Sequence, residues 1–167
     1  TRDFGHQLVL AKNDLTILGV DTNWQPIASA EDVAAYVTSL YQAGFGAQHF
    51  IAGSNITIEG MGFRPVGTGT NKTLEVIGDN FTLRNSVVDN SGNGTAANFY
   101  ISDFELAGTP RVERFTLEGN IFHGGTTASA MVVVGGGVGR TTTADNRIFT
   151  GNQLFGNGLA GRRGFQI

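Results

Sequence analysis

The chain of 167 residues has no cysteine, which excludes a disulfide framework, a zinc-thiolate site and a cysteine nucleophile. Exported bacterial proteins often lack cysteine as well, so this absence leaves the compartment open. Lysine is almost missing, with Lys12 and Lys72 alone, and the formal net charge is −3. No polycationic surface exists to grip a phosphate backbone, so no nucleic-acid partner is expected. No run of 18 apolar residues occurs, and the opening Thr1-Arg2-Asp3-Phe4 shows no charged-then-apolar signal pattern. A membrane-spanning helix and a signal sequence within this chain are therefore not expected. Proline is scarce, at 3 residues, whereas Gly reaches 25, Thr 18 and Asn 13. With 40 % apolar residues, that mixture suits one globular domain, 1–167, built of short strands and tight turns.

Self-similarity is the strongest signal. Five hexamers align without gaps, beginning at Asp14, Asn55, Asn80, Arg114 and Asn146. The first four read polar, apolar, Thr, apolar, a fifth residue that is mostly polar, then Gly or Asn, as in Asn55-Ile56-Thr57-Ile58-Glu59-Gly60 and Arg114-Phe115-Thr116-Leu117-Glu118-Gly119. That is the period-2 alternation of a half-buried strand closed by a turn residue. The copy at Asn146 is the weakest, because Arg147 takes an apolar position; either its register slips by one or its surroundings open to solvent. Intervals of 41, 25, 34 and 32 residues are too irregular for leucine-rich, ankyrin or propeller repeats. A second apolar cluster follows most copies, at Phe63, Val87-Val88, Ile121-Phe122 and Leu154-Phe155. A third precedes most of them, at Leu8-Val9-Leu10, Phe50-Ile51, Leu74 to Ile77 and Met131 to Val134. Three short strands per repeat, separated by turns, spell one coil of a parallel solenoid whose strands stack at about 4.8 Å.

The segments Gly53 to Phe63 and Gly78 to Asn90 resemble coils of the right-handed parallel β-helix, the pectate-lyase-like superfamily. The likeness spans nearly the whole chain. It implies an all-β fold: a right-handed parallel β-helix solenoid of about five coils, with one inserted amphipathic α-helix. The superfamily includes lyases, hydrolases, esterases, tailspikes and noncatalytic adhesins, so the likeness is specific for fold and not for activity.

Stacking the copies makes Leu15, Ile56, Phe81 and Phe115 one inward column, and Ile17, Ile58, Leu83, Leu117 and Phe149 another. Between them Thr16, Thr57, Thr82 and Thr116 form an outward ladder of β-branched residues. The next outward column carries Glu59, Arg84 and Glu118. It reads as a cross-strand ion-pair ladder worth about 0.2–1 kcal/mol per pair, or alternatively as a charged binding groove. The helical insertion is expected over about 29–43. Ser29 is placed to cap it, Asp32 stands in its first turn, and Val33, Tyr36, Val37, Leu40 and Tyr41 recur at helical spacing. Its apolar face is expected to pack on the stack, with Trp24, Phe45 and Phe50 filling the seam; a lid over a groove is the alternative. The chain begins and ends near strands, at Gln7 to Leu10 and Gly164 to Ile167. Bare solenoid ends invite association, so a piece of a longer protein truncated at both ends, or docking of partners there, is expected.

Catalytic chemistry is harder to read. Enzymes of the superfamily use Asp or Glu for calcium and Arg or Lys as base, so calcium is implied by the resemblance alone. The segment Gly108 to Phe115 is similar to the Arg-x-Pro-x-x-Arg segment of pectate lyases, but Gly108 and Glu113 stand at the two arginine positions. The lyase base therefore does not carry over. Asp89, Arg111, Arg114 and His123 are candidates for a polar catalytic patch if turns of successive coils gather them; Glu59, Arg84 and Glu118 are candidates for binding. His6, His49 and His123 are too scattered for a metal cluster and read as surface or turn histidines. The glycine run Val134 to Thr141 lacks the first Gly and the Lys of a phosphate loop. Two functions are expected from these features. One is a carbohydrate-directed protein, secreted, periplasmic or on the cell surface, that binds or cleaves a polysaccharide in a lateral groove. The other is a noncatalytic solenoid, such as a surface-layer, adhesin, tailspike or assembly subunit.

Overall fold

The computed structural model describes residues 8–36, 42–43, 49–65, 74–89, 99–101, 112, 114–124, 130–134, 147–156 and 163–166. The first repeat supplies β1 (Val9–Leu10), β2 (Leu15–Leu18), the helix α1 (Ala30–Tyr36) and β3 (Gln42–Ala43). The second gives β4 (His49–Ile51), β5 (Ile56–Glu59) and β6 (Gly62–Pro65), and the third β7 (Leu74–Val76), β8 (Phe81–Arg84) and β9 (Val87–Asp89). Then come β10 (Phe99–Ile101), β11 (Phe115–Glu118) and β12 (Ile121–His123). The last strands are β13 (Ala130–Val134), β14 (Arg147–Thr150), β15 (Gln153–Phe155) and β16 (Arg163–Gln166).

Every third strand joins the same sheet. The first sheet runs β1-β4-β7-β10-β13-β16, the second β14-β11-β8-β5-β2 and the third β15-β12-β9-β6-β3. All pairings between these strands are parallel. Among the described residues the fold is all-β with one short helix. In the second sheet the aligned hexamers lie in register: Ile56 beside Phe81, Phe81 beside Phe115, and Leu83 beside Leu117. Register is held because a one-residue slip would send every apolar side chain to the solvent face. Ile56, Phe81, Phe115, Ile58, Leu83 and Leu117 are buried in a core that also takes Phe63, Val88 and Phe122 from the third sheet and Leu74, Val76 and Ile101 from the first. Burying each such side chain contributes about 1.5–3 kcal/mol relative to exposure.

The corners explain the turn residues of the hexamers. Asp14, Asn55 and Asn80 take positive φ of 59°, 59° and 56° at the start of β2, β5 and β8, and Gly60, Asn85, Gly119 and Gly151 do so at the far end of the following strands. Only Gly, Asn and Asp enter that region readily. The same corners are stitched by side chains. Asn80 Nδ2 donates to Asn55 Oδ1 at 2.8 Å, and Asn55 Nδ2 to Asp14 Oδ1 at 2.7 Å. Between the second and third sheets the buried Asn120 donates to the Leu83 carbonyl at 2.9 Å and to Asn152 Oδ1 at 2.9 Å.

Three expectations change. The helix is described over Ala30–Tyr36, and Gln42–Ala43, within the expected helical insertion, form a strand paired with β6. Val37, Leu40, Tyr41 and Phe45 lie outside the described residues. The helix start is as expected: Ser29 Oγ accepts the Asp32 N–H at 3.1 Å and donates to Asp32 Oδ2 at 2.8 Å. The seam beneath the helix is filled by Ile27, Ala30, Val33, Val87 and Ile121. Trp24 is not there; it is 83 % exposed, because residues 20–26 fold into a hairpin that carries it away from the stack. His49 is buried rather than a surface residue, and its Nδ1 accepts the Leu8 N–H at 3.1 Å. At β14 the register does not slip. Arg147 stands beside Phe115 in the inward column, with its guanidinium 5.8 Å from that ring, and Phe149 meets the same ring edge-on at 5.2 Å.

Candidate functional site

Two outward columns carry the chemistry that the chain displays among its described residues. In the second sheet Leu18, Glu59, Arg84, Glu118 and Thr150 are register partners from β2 to β14. Arg84 Nε lies 2.9 Å from Glu118 Oε2, with both side chains nearly half exposed. Glu59 Oε1 instead accepts from Asn85 Nδ2 at 3.1 Å. Strand spacing puts Glu59 and Glu118 about 9.6 Å apart at the backbone. That is near the upper limit, roughly 9.5 Å between carboxyl groups, for an inverting glycosidase pair. The residue between them decides the matter. Arg84 neutralises Glu118 and fills the interval where a nucleophilic water and a scissile bond would have to sit. Within the column Arg84 and Glu118 hold each other, while Glu59 is held by Asn85.

The third sheet supplies the other column. Asp89 in β9, His123 in β12 and Phe155 in β15 are register partners, and the His123 and Phe155 rings stack at 5.1 Å with 17° between planes. Beside them on the same outward face, Val87 and Ile121 lie under α1, and Gln153 Nε2 donates to Glu31 Oε1 of the helix. The helix therefore walls one side of the Asp89–His123–Phe155 column.

Of the remaining candidates, Arg114 does not join it. Arg114 stands at the start of β11, where Asp79 Oδ2 accepts from its Nε at 3.0 Å and its Nη2 at 2.6 Å, and Asp79 Oδ1 accepts its backbone N–H at 2.9 Å. This bidentate clamp ties two repeats at their corner. Arg111 lies outside the described residues, as do His6 and the glycine run after Val134. Sequence reasoning missed Asp79 as the partner of Arg114, because the intervening loop hides the alignment of the two corners. It also missed the stacking partner of His123, which the apolar pair Leu154-Phe155 could have signalled.

Calcium requires six to eight oxygen ligands. Among the described residues no three His, Cys, Asp or Glu side chains gather into one group, and no step is assigned to the ion. Among the described residues no helix is long and apolar enough to cross a membrane. No protein-family model, no curated protein and no solved structure matches the chain.

Proposed function

We propose that this chain is a right-handed parallel β-helix solenoid that binds a polysaccharide lengthwise along the outward face of its second sheet, outside the cell, without cleaving it. The handedness is supported by the near-universal right hand of parallel crossovers and by the likeness of residues 53–63 and 78–90 to coils of pectate-lyase-like proteins. One observation carries the functional reading: Leu18, Glu59, Arg84, Glu118 and Thr150 form a single in-register outward column across five strands. A polymer with a repeating polar edge finds there a repeating row of side chains at about 4.8 Å spacing. Binding rather than cleavage is supported by the engagement of every charged group in that row and of Arg114. The test is affinity electrophoresis through gels containing polygalacturonate, alginate, xylan, glucan or mannan. Parallel incubations, with and without calcium, follow unsaturated products and reducing ends. Retardation in at least one gel without products is expected. No retardation in any gel overturns binding, and products overturn the noncatalytic part.

A second reading has its own support. Val9, Leu18, Ile148 and Phe155 are exposed at 54 %, 47 %, 48 % and 47 %, and all four belong to edge strands of their sheets. Apolar side chains and unpaired backbone on edge strands favour end-to-end association, the behaviour of a structural or assembly subunit. Sedimentation across micromolar concentrations separates the two readings: polymer-dependent binding by a monomer favours the first, and self-association without polymer binding favours the second.

A further inference from the structure

Resting on the polymer-binding reading, we infer that the Trp24 hairpin is a preformed stacking platform for a neutral pyranose ring. The hairpin leaves the second sheet immediately after Leu18 and Gly19 and closes with an antiparallel bridge between Val20 and Pro26. Asp21 N–H donates to the Gln25 carbonyl at 2.9 Å, and Trp24 N–H to the Asp21 carbonyl at 3.2 Å. This is a three-residue loop: a tight turn followed by one left-handed residue, a position that glycine ordinarily fills. Here it holds Trp24, at φ 63°.

A bulky residue in the left-handed region is strained, and strain of that kind persists where the surroundings enforce it and gathers at ligand-binding positions. The enforcement is visible. Asp21 Oδ1 accepts the N–H of Asn23 at 2.8 Å and of Gln25 at 2.9 Å, locking the loop from inside. The strain secures no packing, because the indole is 83 % exposed. What remains is a flat aromatic face presented to solvent on a loop whose backbone is held in place, so that the loop itself need not be ordered on binding.

The flanking chemistry selects the ligand. Asn23 and Gln25 are exposed amides that can exchange hydrogen bonds with hydroxyls, and the charged side chain of the loop, Asp21, is an acid occupied by backbone donors. The adjoining column holds two glutamates for one arginine, and the whole chain carries −3. An apolar ring face edged by uncharged hydroxyls fits this surface, and a polyuronate is repelled by it. The ligand is therefore a neutral polysaccharide, with one pyranose on Trp24.

Trp24 is the sole tryptophan, so intrinsic emission reports this position alone. The experiment titrates cellohexaose, xylohexaose and mannohexaose into the full chain and into Trp24→Gly and Trp24→Phe. It follows emission, calorimetric affinity and thermal midpoint, with polygalacturonate retardation and sedimentation measured alongside. At least one neutral hexaose is expected to shift the wild-type emission. Trp24→Gly is expected to lose at least about tenfold in affinity, as buried aromatic anchors do, while its midpoint stays level or rises because glycine relieves the left-handed strain. Trp24→Phe should retain part of the affinity. If polygalacturonate retards the wild type and Trp24→Gly equally and no hexaose moves the emission, this inference is overturned while the lateral-binding reading stands. If no polymer and no hexaose binds, both fall. Loss of self-association in Trp24→Gly, with no sugar effect, would assign the indole to a protein contact instead and equally overturn it.

Discussion

The side-chain Oδ1 of Asn120 accepts the backbone N–H of Ser86 at 3.0 Å, although 34 residues separate them. Asn120 and Ser86 are both fully buried at the corner between the second and third sheets. The same amide donates to the Leu83 carbonyl. Replacing Asn120 by Leu strands a buried donor and a buried acceptor, each costing about 1–3 kcal/mol. Asn120→Leu is accordingly expected to lower unfolding free energy by about 3 kcal/mol in urea titrations. A loss under about 1 kcal/mol would show that the corner does not depend on this amide.

Successive repeats also approach too closely for any side chain at certain corners. A Cβ on Gly78 would lie 2.0 Å from the Gly53 carbonyl oxygen, whereas one on Gly156 would meet nothing within 4 Å. Backbone cannot swing aside as a flexible side chain can. Gly78→Ala is expected to destabilise by about 2–4 kcal/mol and Gly156→Ala to stay within about 0.5 kcal/mol, read from urea midpoints. Equal effects at the two positions would contradict the close stacking of β4 and β7.

The two arginines of the candidate site should behave differently. Arg114 is clamped bidentately and through its backbone by Asp79, whose side chain is only 20 % exposed, while Arg84 and Glu118 are each nearly half exposed. Solvent screening discounts the second pair more than the first. Arg114→Ala is expected to cost about 1 kcal/mol and Arg84→Ala under about 0.5 kcal/mol, with both losses shrinking in high salt because both guanidinium side chains are about half exposed. Asp79→Asn, which keeps an acceptor for the Arg114 N–H, should cost less than Asp79→Ala.

The second sheet was legible from the chain because one buried face ties alternation to register: Phe81, Phe115, Leu83 and Leu117 could point inward together in only one alignment. The charged column followed from the same register. Other features were not legible, for local reasons. Only residues 77–80 separate β7 from β8, whereas 102–114 separate β10 from β11, so Phe99–Ile101 lost the spacing that marked the other first-sheet strands. His49 stands alone between residues with no periodic signal, and its inward position appears only when β4 is paired with β7. Trp24 looked like seam filler because its size suggests burial; the Asp21 hydrogen bonds that turn it outward lie in a loop with no hydrophobic period. Arg114 had a visible charge, but its partner Asp79 sits 35 residues away across loops of unequal length.

Alignment of the outward threonines is the point on which the charged column, the core and the proposed ligand row all depend. Thr82 and Thr116 are register partners, as are Thr57 and Thr82. The chain has no cysteine, so paired substitutions introduce the only thiols. Neighbouring parallel strands at about 4.8 Å fall within disulfide reach, and strands two apart, at about 9.6 Å, exceed its limit of roughly 7 Å. The decisive measurement is oxidative cross-linking of Thr82→Cys/Thr116→Cys beside Thr57→Cys/Thr116→Cys. An intramolecular disulfide is expected in the first and none in the second; no bond in the first, or equal bonding in both, would contradict the shared register of these strands.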